Sequence, residues 1–236
     1  MKKIFGLILF LGLGVLIILA LNNTISFPEF GSVDLSDRVA DAYIDADNVE
    51  EVGSANIVTA IVVGYRGFDT LGEVTVLFIS ALGVAFLFSF KKEKRLDLRF
   101  KPNFMLKHGS KILFGIILVM SLYIILHGHL TPGGGFPGGA IIASGVLLLY
   151  LADDKFRTNI KGFKVLESVA GSLFVVIGLL GLVLATYFLE NFIPQGVVGE
   201  LLSAGIIPVI YVLIGLKVGS EIASVVDNFL TEEETL

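Results

Sequence analysis

The sequence predicts an all-α integral membrane protein of six transmembrane helices with a short re-entrant or interfacial segment. Three observations carry this. Hydrophobic residues make up 55% of the 236 positions and charged ones 17%, and mean hydropathy is +0.87, a balance foreign to a water-soluble globule. Six apolar runs approach or exceed the roughly 20 residues that a helix needs to cross the hydrocarbon core of a bilayer. Basic residues cluster in alternate loops between those runs. Twenty-seven glycines against six prolines fit closely packed membrane helices rather than a disordered linker.

The first run, residues 4–21, is uninterrupted. Lys2-Lys3 before it resembles a signal-peptide start. The run exceeds the roughly 7–15 residues of a signal core and no A-x-A site follows, so an uncleaved anchor is expected. Residues 22–54 carry eight acids against the single Arg38. Residues 56–65 are apolar but too short to cross. They are expected to be re-entrant or interfacial on the outer side, because a full crossing would invert everything after them. The second span is expected over 71–90, followed by a basic stretch over 91–111. The remaining spans are expected over 112–127, 138–152, 165–189 and 201–223, the first two of these being short and flanking a glycine-rich break.

The loops orient the spans. Lys91, Lys92, Lys94, Arg95, Arg99, Lys101, Lys107 and Lys111 crowd one loop, and Lys155, Arg157, Lys161 and Lys164 another. The loops around Gly133 and Pro194 hold no Lys or Arg. Six spans with both termini cytoplasmic put every basic loop inside, as the positive-inside rule requires; an odd number would put one outside. The expected location is therefore the cell membrane, multi-pass. The long charged stretch containing Pro102 is the natural seam. It divides the chain into 1–90 (two helices and an acidic outer loop), a cytoplasmic linker over 91–110, and a four-helix part over 111–236. No inverted repeat is evident, which disfavours a self-sufficient secondary transporter.

Several functions are excluded. Without cysteine there are no iron–sulfur clusters, thiolate zinc sites, c-type haem, disulfides or cysteine nucleophiles. A net charge of −5 and a pI near 5.2 argue against nucleic acid as partner. Three histidines and no nucleophile–base motif disfavour a membrane hydrolase. No catalytic residue, metal site or cofactor is expected.

Three places hold candidate chemistry. Arg66-Gly67-Phe68-Asp69-Thr70-Leu71-Gly72-Glu73 puts three ionisable groups at the mouth of the second span, with Asp69 and Glu73 spaced i,i+4 on one helical face. Glu73 continues into apolar sequence, where a lone carboxylate is costly. It reads as a station of a proton or cation relay with Arg66 as counter-charge, or as part of an interfacial ion pair that fixes depth. His127 and His129 stand before Pro132-Gly133-Gly134-Gly135-Phe136-Pro137, which lacks the Lys and Ser/Thr of a phosphate loop. Two histidines without a third ligand make a poor metal site. The glycines and prolines either free backbone carbonyls to line a wet cavity or pack the loop tightly on neighbouring subunits, and His127 is a candidate proton relay. Lys217 lies inside the last span with Glu221 one turn on. Lys217 either snorkels to the cytoplasmic headgroups, the preferred reading, or faces inward as part of a hydrophilic path. Glu167 and Glu200 read as structural, favoured by helix N-terminal dipoles.

The residues from Arg66 to Glu73 resemble the signature in the C-terminal tail of the large A subunit of Mrp-type multisubunit sodium/proton antiporters. His129-Leu130-Thr131-Pro132-Gly133-Gly134-Gly135-Phe136-Pro137-Gly138-Gly139 resembles the signature of their B subunit, and Gly215-Leu216-Lys217-Val218-Gly219 its last helix. Residues 1–90 are similar to the A-tail and about 105–230 to the B subunit, so the chain looks like a fusion of the two across the charged seam. Such modules also occur in archaeal respiratory complexes beside a hydrogenase-like or sulfur-reducing arm. The resemblance implies a non-catalytic subunit helping to form an ion path, with other Mrp-type membrane subunits and membrane lipid as partners and sodium and protons as the transported species. It also implies channel roles for Glu73 and for the loop at Gly135 and Phe136. The competing expectations are a scaffold that only joins other subunits, or a subunit of a free-standing Mrp antiporter.

Overall fold

The computed structural model describes residues 2–22, 52–88, 93–95, 102–153, 156 and 158–233. The acidic loop expected over 22–54 and most of the basic linker lie almost wholly outside these residues. The chain divides into two compact units, residues 1–45 and 46–236. In the first, helix α1 (Lys2–Asn22) is 21 residues long and carries no charge after its opening lysines.

The second unit is helical. Asn56 caps a single helical turn (Ile57–Thr59) by accepting from the Val58 amide. The turn widens into a π-helix (Ala60–Tyr65) that ends when the Arg66 amide reaches the Ile61 carbonyl, and α2 (Gly67–Phe88) follows at once. The short apolar segment is thus a bent helical approach to the second span. Then come α3 (Phe104–Leu126), α4 (Gly135–Ala152), α5 (Ile160–Leu184) and α6 (Ile207–Leu230). α2 to α6 are each long and apolar enough to cross a membrane.

α6 is the axis. α4, α5 and α2 pack on it, and α3 packs on α4. In its apolar stretch 67% of residues are buried, against 11% in α2 and 17% in α3, so the outer faces of α2 and α3 are uncovered within this chain. Small residues let α4 and α6 meet backbone to backbone. A methyl group on Gly139 would sit 2.9 Å from both the Gly215 carbonyl oxygen and the Gly219 amide nitrogen.

Boundaries depart from the apolar runs for local reasons. α3 begins eight residues early because the Asn103 side chain accepts from the Leu106 amide at 2.8 Å, an N-cap inside the basic stretch. Its 23 residues and the 18 of α4 remove the expected shortness of those two spans. α5 stops at Leu184, and residues 185–206 form an irregular loop. There Leu189 and Ala204 both have φ of 65°, and the Ala204 amide closes on the Gln195 carbonyl at 2.8 Å. The apolar stretch 201–206 is therefore loop, and α6 starts at Ile207 with Pro208 in its first turn, where no amide donor is needed.

Outside the helices, β1 (Glu93–Arg95) of the linker pairs antiparallel with β2 (Thr231–Glu233) of the tail. On the same side Lys107 meets Asp153 at 2.9 Å, and the Tyr150 hydroxyl bridges Asp227 and Thr158.

Gly139→Ala is expected to lower the stability of the purified protein by about 1–3 kcal/mol, because backbone cannot yield to the new methyl group. Gly115→Ala on the open face of α3, with nothing within 4 Å of the added carbon, should be neutral or slightly stabilising. Thermal unfolding in detergent with both variants checks this.

Candidate functional site

The glycine tract builds the first polar centre. α3 ends at His127 and α4 starts at Gly135, so the turn between them has carbonyls with no helical partner. The preceding segment takes them up. The Asn56 carboxamide donates to the carbonyls of Gly128 (2.8 Å) and Thr131 (3.0 Å). The His129 carbonyl accepts from the Asn56 amide (3.0 Å) and the Ser54 hydroxyl (2.9 Å). Thr59 donates to Gly128 at 2.7 Å, which leaves Tyr211 of α6 to donate to Thr59. Gly134 holds φ at 126°, a conformation open to glycine, and its amide reaches the Ile124 carbonyl at 3.0 Å. An added methyl on Gly135 would meet Ile214 at 2.5 Å. Gly133 lies against Ile124, Phe136 packs on the core, and Pro137 occupies the first turn of α4. Within this chain the carbonyls of Gly128, His129 and Thr131 are thus paired with the segment before α2.

The two histidines separate. His127 is stacked on the Tyr123 ring with centroids 4.2 Å apart, and its Nδ1 lies 3.1 Å from the Tyr123 carbonyl oxygen. His129 is fully buried, with Nε2 3.4 Å from the Glu200 carbonyl oxygen and Nδ1 without a partner among the described residues. Burial holds its imidazole below the ordinary pKa of 6.5, against the opposing hydrogen bond to the Glu200 carbonyl, and the neighbouring His127 adds to the lowering.

At the mouth of α2, Arg66 Nε donates to Asp69 at 2.7 Å, and the pair is more than half exposed. The Thr70 hydroxyl takes the Val62 carbonyl freed by the π-turn at 2.7 Å. Glu73 is exposed on the same face and borders a small cavity of about 80 Å³ with Arg66 and Asp69. The structure gathers these three residues but leaves them on the outer face of the chain, apart from the histidines.

The third centre corrects the preferred reading of Lys217. It does not snorkel. At 7% exposure it forms an ion pair with Glu221, which is 0% exposed. Its ammonium also lies 4.6 Å over the centre of the Phe78 ring. Packing against α5 and α2 explains this, since Gly171 leaves the lysine stem a channel along α5. Glu167, read as structural from its place near a helix start, is 7% exposed and lines the same cleft. That cleft, of about 300 Å³, runs between α2 and α5 past Thr75, Ser172 and Lys217. Nothing in the sequence around Glu167 distinguishes this inward position from the structural one expected of it.

Comparisons with known proteins follow the same division. A family model described as a domain related to the MnhB subunit of a Na+/H+ antiporter matches residues 105–224, and one described as the E subunit of MBH matches residues 10–96. A chain in the structure of the membrane-bound sulfane sulfur reductase, an archaeal respiratory membrane complex, is 42% identical, with 98% of this chain and 99% of that chain covered at a TM-score of 0.78. A chain of the Mrp complex from Dietzia sp. DQ12-45-1b is 23% identical, which speaks for the fold alone. It covers 99% of this chain at a TM-score of 0.70, but only 26% of that chain. The B subunit of the Na(+)/H(+) antiporter of Bacillus subtilis is 46% identical over 52 residues, 22% of this chain and 36% of its own length.

His129 supplies a pH test. Its folded-state pKa is lowered, so the unfolded chain binds the proton more readily and stability rises with pH. The contribution is complete above the unfolded value of about 6.5 and is lost as pH falls from there through the lowered folded-state value. Unfolding midpoints measured from pH 8 to pH 5 should drop below the unfolded value in the wild type, and His129→Gln should flatten the dependence.

Proposed function

Since the chain belongs to the family of domains related to the MnhB subunit of sodium/proton antiporters, we propose that it is a non-catalytic membrane subunit of an Mrp-type module that helps to form the ion path. Its parent is a larger redox-driven respiratory complex, a reading favoured by the relative in the sulfane sulfur reductase, which matches nearly end to end. Other Mrp-type membrane subunits and lipid cover the outer faces of α2 and α3, and sodium ions and protons are the transported species. Reduction chemistry belongs to other chains of such an assembly.

The chain is a multi-pass membrane protein. In this proposal α1 is the first of six spans and both termini are cytoplasmic. The β1–β2 ribbon fits its last part, the four crossings α3 to α6, which return the tail to the side of the linker. Residues 1–90 act as the A-tail-like part and 111–236 as the B-like part.

The carrying observation is the ion pair of Lys217 and Glu221 buried within a spanning helix. Stability does not explain it. Burying two charges costs several kcal/mol per ion, and well-packed apolar residues in their place are commonly neutral or stabilising. Charges kept inside a membrane bundle mark ion and proton pathways. Arg66, Asp69 and Glu73 extend the path on the outer face of α2, and His127 and His129 lie near its outer end.

A double variant separates path from scaffold. Lys217→Met alone strands a buried carboxylate and should destabilise the bundle by about 3–5 kcal/mol. Lys217→Met with Glu221→Met should assemble normally yet lose sodium and proton transport in proteoliposomes. Normal transport by that assembled double variant would make the chain a scaffold.

A further inference from the structure

The cleft between α2 and α5 holds a charge imbalance. Glu167, Lys217 and Glu221 are 7%, 7% and 0% exposed, and Glu167 and Glu221 both lie within electrostatic reach of Lys217 and of each other. Two carboxylates against one ammonium leave one negative charge inside apolar helices. One oxygen of Glu221 bonds Lys217, and the other is buried without a partner among the described residues. Glu167 is the cleft-facing member, and no hydrogen bond or ion pair holds its carboxyl among the described residues. The other charged group acting on it is Lys164, a turn earlier on α5. α2 presents Leu71, Val74, Thr75 and Phe78 to the cleft, none of them ionisable.

An uncompensated carboxylate in low dielectric neutralises rather than remains charged. A metal cation would need several oxygen ligands. Among the described residues no group of three His, Cys, Asp or Glu is placed to supply them, and the cleft walls are largely apolar. A proton needs none.

We propose that Glu167, Lys217 and Glu221 form a site for one exchangeable proton, taken up from the cleft and shared by the two carboxylates across the ammonium. Loading forms one O–H bond on Glu167, with the proton supplied by hydronium, and leaves water. Transfer breaks that bond and forms one on the free oxygen of Glu221, and Lys217 then faces the ionised Glu167. The pair titrates as a unit. The site deepens the proposed ion path, but its existence is measurable without transport.

Infrared spectroscopy on the purified assembly in lipid tests it. The wild type should show one deuterium-exchangeable carbonyl band of a buried protonated carboxyl at neutral pH. Glu167→Gln and Glu221→Gln should each abolish that band, because removing either carboxylate balances the charge. Glu167→Asp should shift the band, and Glu200→Gln in the outer loop should leave it unchanged. No such band in the wild type, or a full band surviving in either Glu→Gln variant, overturns the proposal. Loss of the band together with a fall in transport of about tenfold or more in Glu167→Gln supports both site and path. Loss of the band with unchanged transport keeps the proton site and refutes the path.

Discussion

A membrane interior offers no water to polar groups, and the second unit of this chain is arranged around that constraint. Two places need relief. Where the glycine tract ends α3, carbonyls of Gly128, His129 and Thr131 lose their helical partners, and Ser54, Asn56 and Thr59 replace them. Where Lys217 and Glu221 sit within α6, each answers the other. The first set of carbonyls is satisfied and tied to α6 through Tyr211. The second is satisfied only in part, because one Glu221 oxygen and the whole Glu167 carboxyl remain without bonds among the described residues.

That difference assigns the roles. A closed polar network with its donors and acceptors matched rigidifies what surrounds it, and here it fixes the π-turn that leads into α2 against the α3–α4 turn. An open network of charges can change its occupancy. The small residues Gly139, Gly171, Gly215 and Gly219 serve both, since close backbones keep α6 central while leaving a channel for the lysine stem.

Much of this was legible in the sequence. Helical class and the places of α2 to α5 followed from run length, and the motif around Gly134 marked the α3–α4 turn. Family resemblance pointed to the antiporter module that the family match now shows. Helix ends were less legible, because Asn103 caps inside charged sequence and residues 201–206 are apolar yet form a loop. The inward Lys217 and the cleft-facing Glu167 were hidden for one reason. A periodicity tells which residues share a face, but not which neighbouring helix that face meets. Lys217 near a membrane end is compatible with snorkelling until α5 and α2 are seen to enclose it.

Whether the cleft is wet decides the account most directly. The chain contains no cysteine, so a single cysteine placed in it is the only one on its band when the labelled subunits are separated. Ser172→Cys lies in the cleft, whereas Leu173→Cys is on an exposed apolar face of α5 outside it. In the assembled complex, a small charged thiol reagent added to the aqueous phase should label position 172 and spare position 173. No labelling at 172, with both cysteines reacting once the protein is denatured, would mean that the cleft is filled by lipid or protein and that ions do not travel there.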